Sequence, residues 1–463
     1  MKSHLSVLPL CLLLGACATP PAPIDSGVKP PSQWTATSPS ARHIDRQWWQ
    51  HFASPELDRL VAQARLGSYD LAAAIARVRQ ARAASVVANA SQLPELTANV
   101  NANRQKLLHG NGYSQLDASG DKSAINYFDA NLSASYEIDF WGRKAATRAS
   151  AWQTLKASEF DQATVELTLL SSVADNYLRI LALREQGRIA GLNLENARNV
   201  LQLVQTHYRS GSATALEVAQ QASLVAAQER QVPLIHQQAR EALIGLAVLL
   251  GQPVQNVRIA GQDLEQLKWP AIGSGLPSEL LSRRPDIAGA EARLAAAQAD
   301  VQVARAAMLP SLTLGATVGS GTATAPDLLR SPFYMLSAGL IAPVFNNGRL
   351  GAERDQATAR QEELLEIYRG SIIAAFADVE QALNAIDGLD RQRQWQDEEL
   401  SQAQRAFEVA QSRYKAGAEG LLTVLDTQRT LYQAQDQNVQ LRLSRLQASV
   451  ALYKALGGGW QVM

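Results

Sequence analysis

The chain has 463 residues, with 43 Lys and Arg against 43 Asp and Glu, a formal net charge of zero and no basic block, which excludes nucleic acid as a partner class. Beyond the N-terminal segment there is no run of about eighteen apolar residues, which excludes a membrane-spanning helix. A membrane crossing by this chain must use strands.

At the N-terminus, Lys2 and the apolar run Leu5 to Leu14 read as a secretory signal. Leu14-Gly15-Ala16-Cys17 fits the bacterial lipobox, so residues 1–16 are expected to be removed and Cys17 to be lipidated as the first mature residue. An ordinary signal peptide with Cys17 incidental is the plainer alternative. Ala18 is not aspartate, which by the usual sorting rule sends such a lipoprotein to the outer membrane. Cys11, the other cysteine, leaves with the signal, so no disulfide and no cysteine metal site is expected. Prolines 20, 21, 23, 30, 31 and 39 make residues 17–45 a semi-stiff tether.

The remainder is written twice, as residues 46–260 and 261–463. Asp70-Leu71 through Leu93-Pro94-Glu95-Leu96-Thr97 reappears as Asp286-Ile287 through Leu309-Pro310-Ser311-Leu312-Thr313. Further on, Gly142-Arg143 matches Gly348-Arg349, Tyr208 to Gly211 matches Tyr414 to Gly417, and Leu250-Gly251 matches Leu456-Gly457. Two copies of this size do not make a short-repeat solenoid.

Each repeat opens on a helix, Tyr69 to Leu93 or Pro285 to Met308, and continues into a hairpin, about residues 95–140 and 311–345. Phe128 to Phe140 alternates apolar and polar without a break, as do Leu96 to Asn103, Leu312 to Val318 and Tyr334 to Val344. Strands of about ten residues with one apolar and one Asn/Ser/Thr/Gly face fit a barrel wall between lipid and water. A sandwich strand has the same period. The loops His109 to Lys122 and Gly319 to Asp327 are polar and glycine-rich, and the longer first loop accounts for the change in repeat spacing. Four strands cannot close a barrel, since eight is the smallest number in use. Two chains would supply eight, whose interior side chains nearly fill, so an open channel favours three.

After the hairpin each repeat has a helix hairpin, residues 143–250 and 349–456. Arg143 to Ser210 lacks proline and is rich in good helix formers, as is Leu350 to Ala416. Either would be about 100 Å long at about 1.5 Å per residue. Thr214 to Leu250, with Pro233 expected to bend it, and Leu421 to Leu456 supply the return helices. Length matching stacks Thr214–Leu250 on Pro285–Met308 and Leu421–Leu456 on Tyr69–Leu93. Val165, Leu169, Val173, Tyr177 and Ile180 mark one packed face. A plain coiled coil would explain these helices equally well, and a lipid-anchored periplasmic scaffold without a pore is the alternative reading of the whole.

Trp48-Trp49, Pro55-Glu56-Leu57, Tyr136-Glu137-Ile138-Asp139-Phe140-Trp141-Gly142-Arg143, Pro343 to Arg349, Arg413 to Gly417 and Leu422 to Asp426 resemble the TolC-like outer-membrane efflux factors, in their NodT-type lipoprotein branch. The resemblance implies a mainly α fold with a β-barrel: a trimeric twelve-stranded outer-membrane barrel continuing into a long periplasmic helical barrel. It implies an exit duct for drugs or other small molecules, working as a homotrimer with a periplasmic adaptor and an RND-type inner-membrane transporter. Gly211 and Gly417 each follow a long helix, as a capping glycine does. By the resemblance Gly211, Ser212, Gly417 and Ala418 form periplasmic tips that meet the adaptor. Tyr414 and Glu217 align with a gate contact between neighbouring hairpins, while Leu422, Asp426 and Arg429 match the narrowest constriction. Glu419 stands where the family usually has a basic residue.

No enzyme is expected. Histidines 4, 43, 51, 109, 207 and 236 are scattered without metal-ligand spacing, and no cofactor motif is found.

Overall fold

The computed structural model describes residues 25–35, 45–106, 125–260 and 263–460. The signal, Cys17, much of the tether and the first hairpin loop from His109 to Lys122 lie outside the described residues. The elements in chain order are α1 (Pro55–Gly67), α2 (Tyr69–Ala90), β1 (Glu95–Gln105), β2 (Ile125–Ile138), α3 (Arg143–Arg209) and α4 (Ala215–Leu249), then α5 (Pro277–Arg283), α6 (Pro285–Ala306), β3 (Ser311–Thr322), β4 (Pro332–Ile341), α7 (Arg349–Lys415) and α8 (Leu421–Ala455). Two compact units are distinguished. One takes in Arg79–Ala157 and Glu291–Ile367; the other takes in Gly27–Val78, Ser158–Ala290 and Tyr368–Met463.

The first unit carries one antiparallel sheet in the order β1-β2-β3-β4. Its register settles which residues share a face. Leu96 lies opposite Ala134, Leu132 opposite Val318, and Leu312 opposite Leu340. Residues directly opposite in a ladder point to the same side, so every even-numbered strand residue falls on one face and every odd-numbered residue on the other. The even face is apolar and open: Val100 is 78% exposed, Leu336 74% and Leu340 70%. The odd face is polar and bonded to itself. Asn99 Nδ2 donates to Asn131 Oδ1 (3.3 Å), Asn101 and Asn131 both donate to Asp129 Oδ2 (3.1 and 2.7 Å), and the Ser133 and Thr317 hydroxyls lie 3.0 Å apart. A water-soluble sandwich would bury the first face and expose the second. In this sheet the apolar face is left open instead, and both faces of β1 and β4 are exposed. Most departures lie toward the loop end, with Arg104, Asn126, Ser320 and Thr322 on the even face and Tyr127, Phe333 and Met335 on the odd, while Ile341 is an apolar residue on the odd face at the helix end.

Both hairpins turn into helices through local chemistry. Asp139 leaves β2 and accepts from the Lys144 and Ala145 amides (3.0 and 2.8 Å), capping α3, while Gly142 takes φ +73°. Arg143 reaches back to both Glu137 oxygens at 2.7 and 2.6 Å. In the second repeat Asn347 and Gly348 are both left-handed before α7, and β4 stops at Ile341 rather than running to the expected Val344. Pro343 has no N–H for the ladder. Likewise β3 extends through Thr322, so the loop begins later than Gly319. A cavity of about 430 Å³ lies among these junctions, with Glu137, Trp141, Arg143, Arg349 and Glu353 in its wall.

In the second unit α3 and α7, each of 67 residues, contribute one face to a core with α1, α4 and α8. Leu169, Val173, Tyr177 and Ile180 of the expected stripe are buried. Trp48 is stacked on Tyr453 at 5.1 Å, and the Ser54 hydroxyl, which caps α1, also meets the Tyr177 hydroxyl at 2.9 Å. Pro233 sits within α4, which continues through it.

The helix stacking differs from the expectation. A Cβ on Gly251, at the end of α4, would lie 2.0 Å from the Gly67 carbonyl oxygen beside Tyr69; one on Gly457, at the end of α8, would lie 2.1 Å from the Arg283 carbonyl oxygen. Arg284 also donates to the Ala455 carbonyl at 3.2 Å. So α4 abuts α2 and α8 abuts α6, each within its own repeat. Length could not decide this, because α2 and α6 both have 22 residues and α4 and α8 both have 35. The left-handed glycines at 251 and 457 permit the close approach.

Arginine on the even face is expected to cost about 2–4 kcal/mol in mid-bilayer. Leu336→Arg should therefore cut the heat-modifiable, assembled protein recovered in outer-membrane fractions, while Ser337→Arg, one residue away on the odd face, should leave it near wild type.

Candidate functional site

The two helix-hairpin ends are built alike. In the first, Gly211 takes φ +79° and its amide bonds the Tyr208 carbonyl (3.1 Å), while the Ser212 amide bonds the His207 carbonyl (2.8 Å). In the second, Gly417 takes φ +73°, with Gly417 bonded to Tyr414 (3.0 Å) and Ala418 to Arg413 (2.9 Å). Both are Schellman turns, which satisfy the last carbonyls of a helix and need the left-handed residue that glycine supplies best. No atom lies within 4 Å of a Cβ built on either glycine, so the backbone angle, not crowding, selects it. Gly211, Ser212, Gly417 and Ala418 are all exposed.

The return helices start differently. Thr214 caps α4 in a full capping box: its hydroxyl accepts from the Glu217 amide (3.2 Å), and the Glu217 carboxylate takes the Thr214 amide (2.6 Å) and hydroxyl (2.9 Å). At α8 the N-cap is Gly420, which has no side chain to offer. No side chain caps this helix, and Glu419 beside it accepts from the Thr423 hydroxyl (3.1 Å) and lies 3.5 Å from Arg413. The residue that departs from the family pattern is thus part of the turn.

Beneath the tips the two hairpins share one apolar cluster, in which Val200, Val204, Phe407, Tyr414, Leu421, Val424 and Leu425 are buried. The Tyr414 ring lies 5.3 Å from that of His207, the residue that replaces Arg413 in the first repeat. Its hydroxyl is buried without a hydrogen-bond partner. Burial, then the nearby Glu217 carboxylate, pushes the Tyr414 phenol above its usual pKa. Within one chain Tyr414 and Glu217 are not hydrogen-bonded, and Glu217 Oε2 is held in its own capping box.

Leu422, Asp426 and Arg429 lie on one exposed face of α8, Leu422 at 65%. No ion pair joins Asp426 to Arg429 within the chain; in water such a pair gains little. Sequence reasoning passed over Leu216, which stands after Gly211 as Leu422 does after Gly417 and is 66% exposed. The repeat alignment held that signal. The His207 contact had a weaker one, the single His-for-Arg difference between tips. Among the described residues no group of three or more His, Cys, Asp or Glu could hold a metal ion, and no helix is long and apolar enough to cross a membrane.

An outward-facing apolar sheet, two long helix hairpins and exposed capped tips define a class: the outer-membrane channels. Residues 60–252 and 276–458, one stretch in each repeat, match the outer membrane efflux protein family, and the chain belongs to it. It is 63% identical over 460 residues to the pyoverdine export outer membrane protein OpmQ of Pseudomonas aeruginosa, covering 99% of this chain and 97% of that protein. The protein of the same description from Pseudomonas putida is 60% identical over 463 residues, covering 100% and 98%. Among solved structures, the outer-membrane channel OprN superposes with a TM-score of 0.86 at 27% identity, covering 94% of this chain and 99% of that one. The fold is therefore mainly α with a β-barrel wall, and the protein is an efflux channel of the outer membrane, the exit duct of a tripartite pump.

Proposed function

We propose that three copies of this chain close a twelve-stranded barrel, the β1 edge of one meeting the β4 edge of the next, and export a pyoverdine-type siderophore through it. The observation that carries the assembly is the sheet itself: four strands with an apolar outer face and free edges at β1 and β4. In hydrocarbon every backbone polar group must be paired, so an open edge is not tolerated. The cargo is supported by two relatives at 60% or more identity whose names specify pyoverdine export. Sequence alone favoured drugs; the siderophore belongs to the same small-molecule class. Cys17 is the lipid anchor, outer-membrane lipid its partner, and the duct passes cargo from a periplasmic adaptor and, by the resemblance, an RND-type inner-membrane transporter.

The periplasmic tips gate the duct. Gly211, Ser212, Gly417 and Ala418 present the exposed turns that an adaptor would grip, while Leu422, Asp426 and Arg429 form the constriction. The unpartnered Tyr414 hydroxyl and the Glu217 carboxylate supply a latch between hairpins once Glu217 leaves its cap. Two carboxylates about 7 Å apart repel by roughly 2 kcal/mol at an effective dielectric of about 20, and by about 0.6 kcal/mol in water. A wet ring of three aspartates thus cannot seal by charge; Leu422 must supply the steric part and Arg429 of a neighbouring copy the pairing.

Two measurements test this. Asp426→Ala with Arg429→Ala should raise single-channel conductance in planar bilayers, and unchanged conductance places the gate elsewhere. In a pyoverdine-producing host, deleting the gene should retain pyoverdine in the periplasm and lower it in the medium; unaltered secretion removes pyoverdine as the cargo.

A further inference from the structure

The charge distribution on the odd face of the sheet bears on what passes through the membrane segment. Of the odd-numbered strand residues, three are acidic, Glu95, Asp129 and Glu137, and none is Lys or Arg. Glu137 is neutralised by Arg143 at 2.6 Å. Glu95 is exposed at the helix-side end of β1. Asp129 sits within β2, opposite Asn101 and Gly321, only 8% exposed, its Oδ2 held by the Asn101 and Asn131 amides. Amide donors orient a carboxylate without cancelling its charge. The rest of the face consists of amides, hydroxyls, glycines and a few apolar side chains, which carry no charge to offset it.

We propose that Asp129, with Glu95 at the rim, is the fixed charge that makes the barrel section of the channel prefer cations to anions, independently of the periplasmic tips. The assignment rests on the odd face lining the lumen of a closed barrel. Six uncompensated carboxylates then face the water of a trimer, three held deep in the wall and three at the entrance from the helices. Asp129 is kept from snorkelling away by the two asparagines, so its field stays at a constant depth.

The test is the potassium-to-chloride permeability ratio, read from the reversal potential across a planar bilayer with unequal KCl. The background is Asp426→Ala, Arg429→Ala, which removes the charges of the proposed constriction from the measurement. That channel should still favour potassium. Adding Glu95→Gln and Asp129→Asn should lower the ratio by about twofold or more, and by more at 0.01 M than at 1 M salt, where the screening length is only about 3 Å. A ratio that does not move overturns the proposal. Asn99→Lys in the same background, which places a cation on the same face beside Asn131, decides the matter if the acid variants do not assemble: a shift toward chloride supports the assignment, and no shift overturns it. Absence of conductance in the wild type overturns the channel reading itself, a result distinct from conductance with an unchanged ratio.

Discussion

The structure depends on one constraint: a strand with an unpaired edge cannot rest in hydrocarbon. Its N–H and C=O groups would each forgo a hydrogen bond at a cost of several kcal/mol. The sheet's even face, with Val100, Leu336 and Leu340 open, is unsuited to water. Its four strands are too few to close on themselves. Those two facts together demand other copies of the chain. The internal duplication answers the same need economically, because one gene then supplies two hairpins per subunit and halves the number of subunits required.

A second requirement is a change of period, from two in the strands to 3.6 in the helices, at the membrane border. The chain meets it with short polar devices. Asp139 ends β2 and caps α3; Gly142 and Gly348 take left-handed angles; Arg143 ties the first helical turn back to Glu137 on the strand. At the far ends of α3 and α7 the same economy recurs in two Schellman turns. Rigid turns of this kind hold exposed side chains such as Leu216 and Leu422 in fixed places, which suits the adaptor contact and gate proposed for the tips.

Much of this was legible in the residues. Alternation over Phe128 to Ile138 and Leu96 to Asn103 gave both the strands and their faces, and the glycine spacing located the tips. What was not legible shows where one-dimensional reasoning ends. Helix lengths could not choose between two equal partners, and the stacking of α4 on α2 was settled by backbone approach at Gly251 and Gly67. The strand expected to reach Val344 stopped at Ile341, since alternation says nothing of the amide that Pro343 lacks. The aligned pair Tyr414 and Glu217 share a neighbourhood without bonding within one chain, where Glu217 Oε2 instead takes the Thr214 amide and hydroxyl. Gate, cargo and anchor are statements about other molecules, and a single chain's sequence carries them only through resemblance.

The central claim is that one parity of strand residues meets lipid and the other meets water. It can be measured directly, because the sequence has no cysteine beyond Cys11 and Cys17. Single cysteines placed in turn from Phe333 to Leu340 would be reacted with a membrane-impermeant maleimide, and then carry a fluorophore challenged by a lipid-phase quencher. Odd positions should label fast and resist the lipid quencher, and even positions should do the opposite, with a period of two. Equal labelling of both parities, with no quenching from lipid, would mean that the sheet does not stand in a membrane.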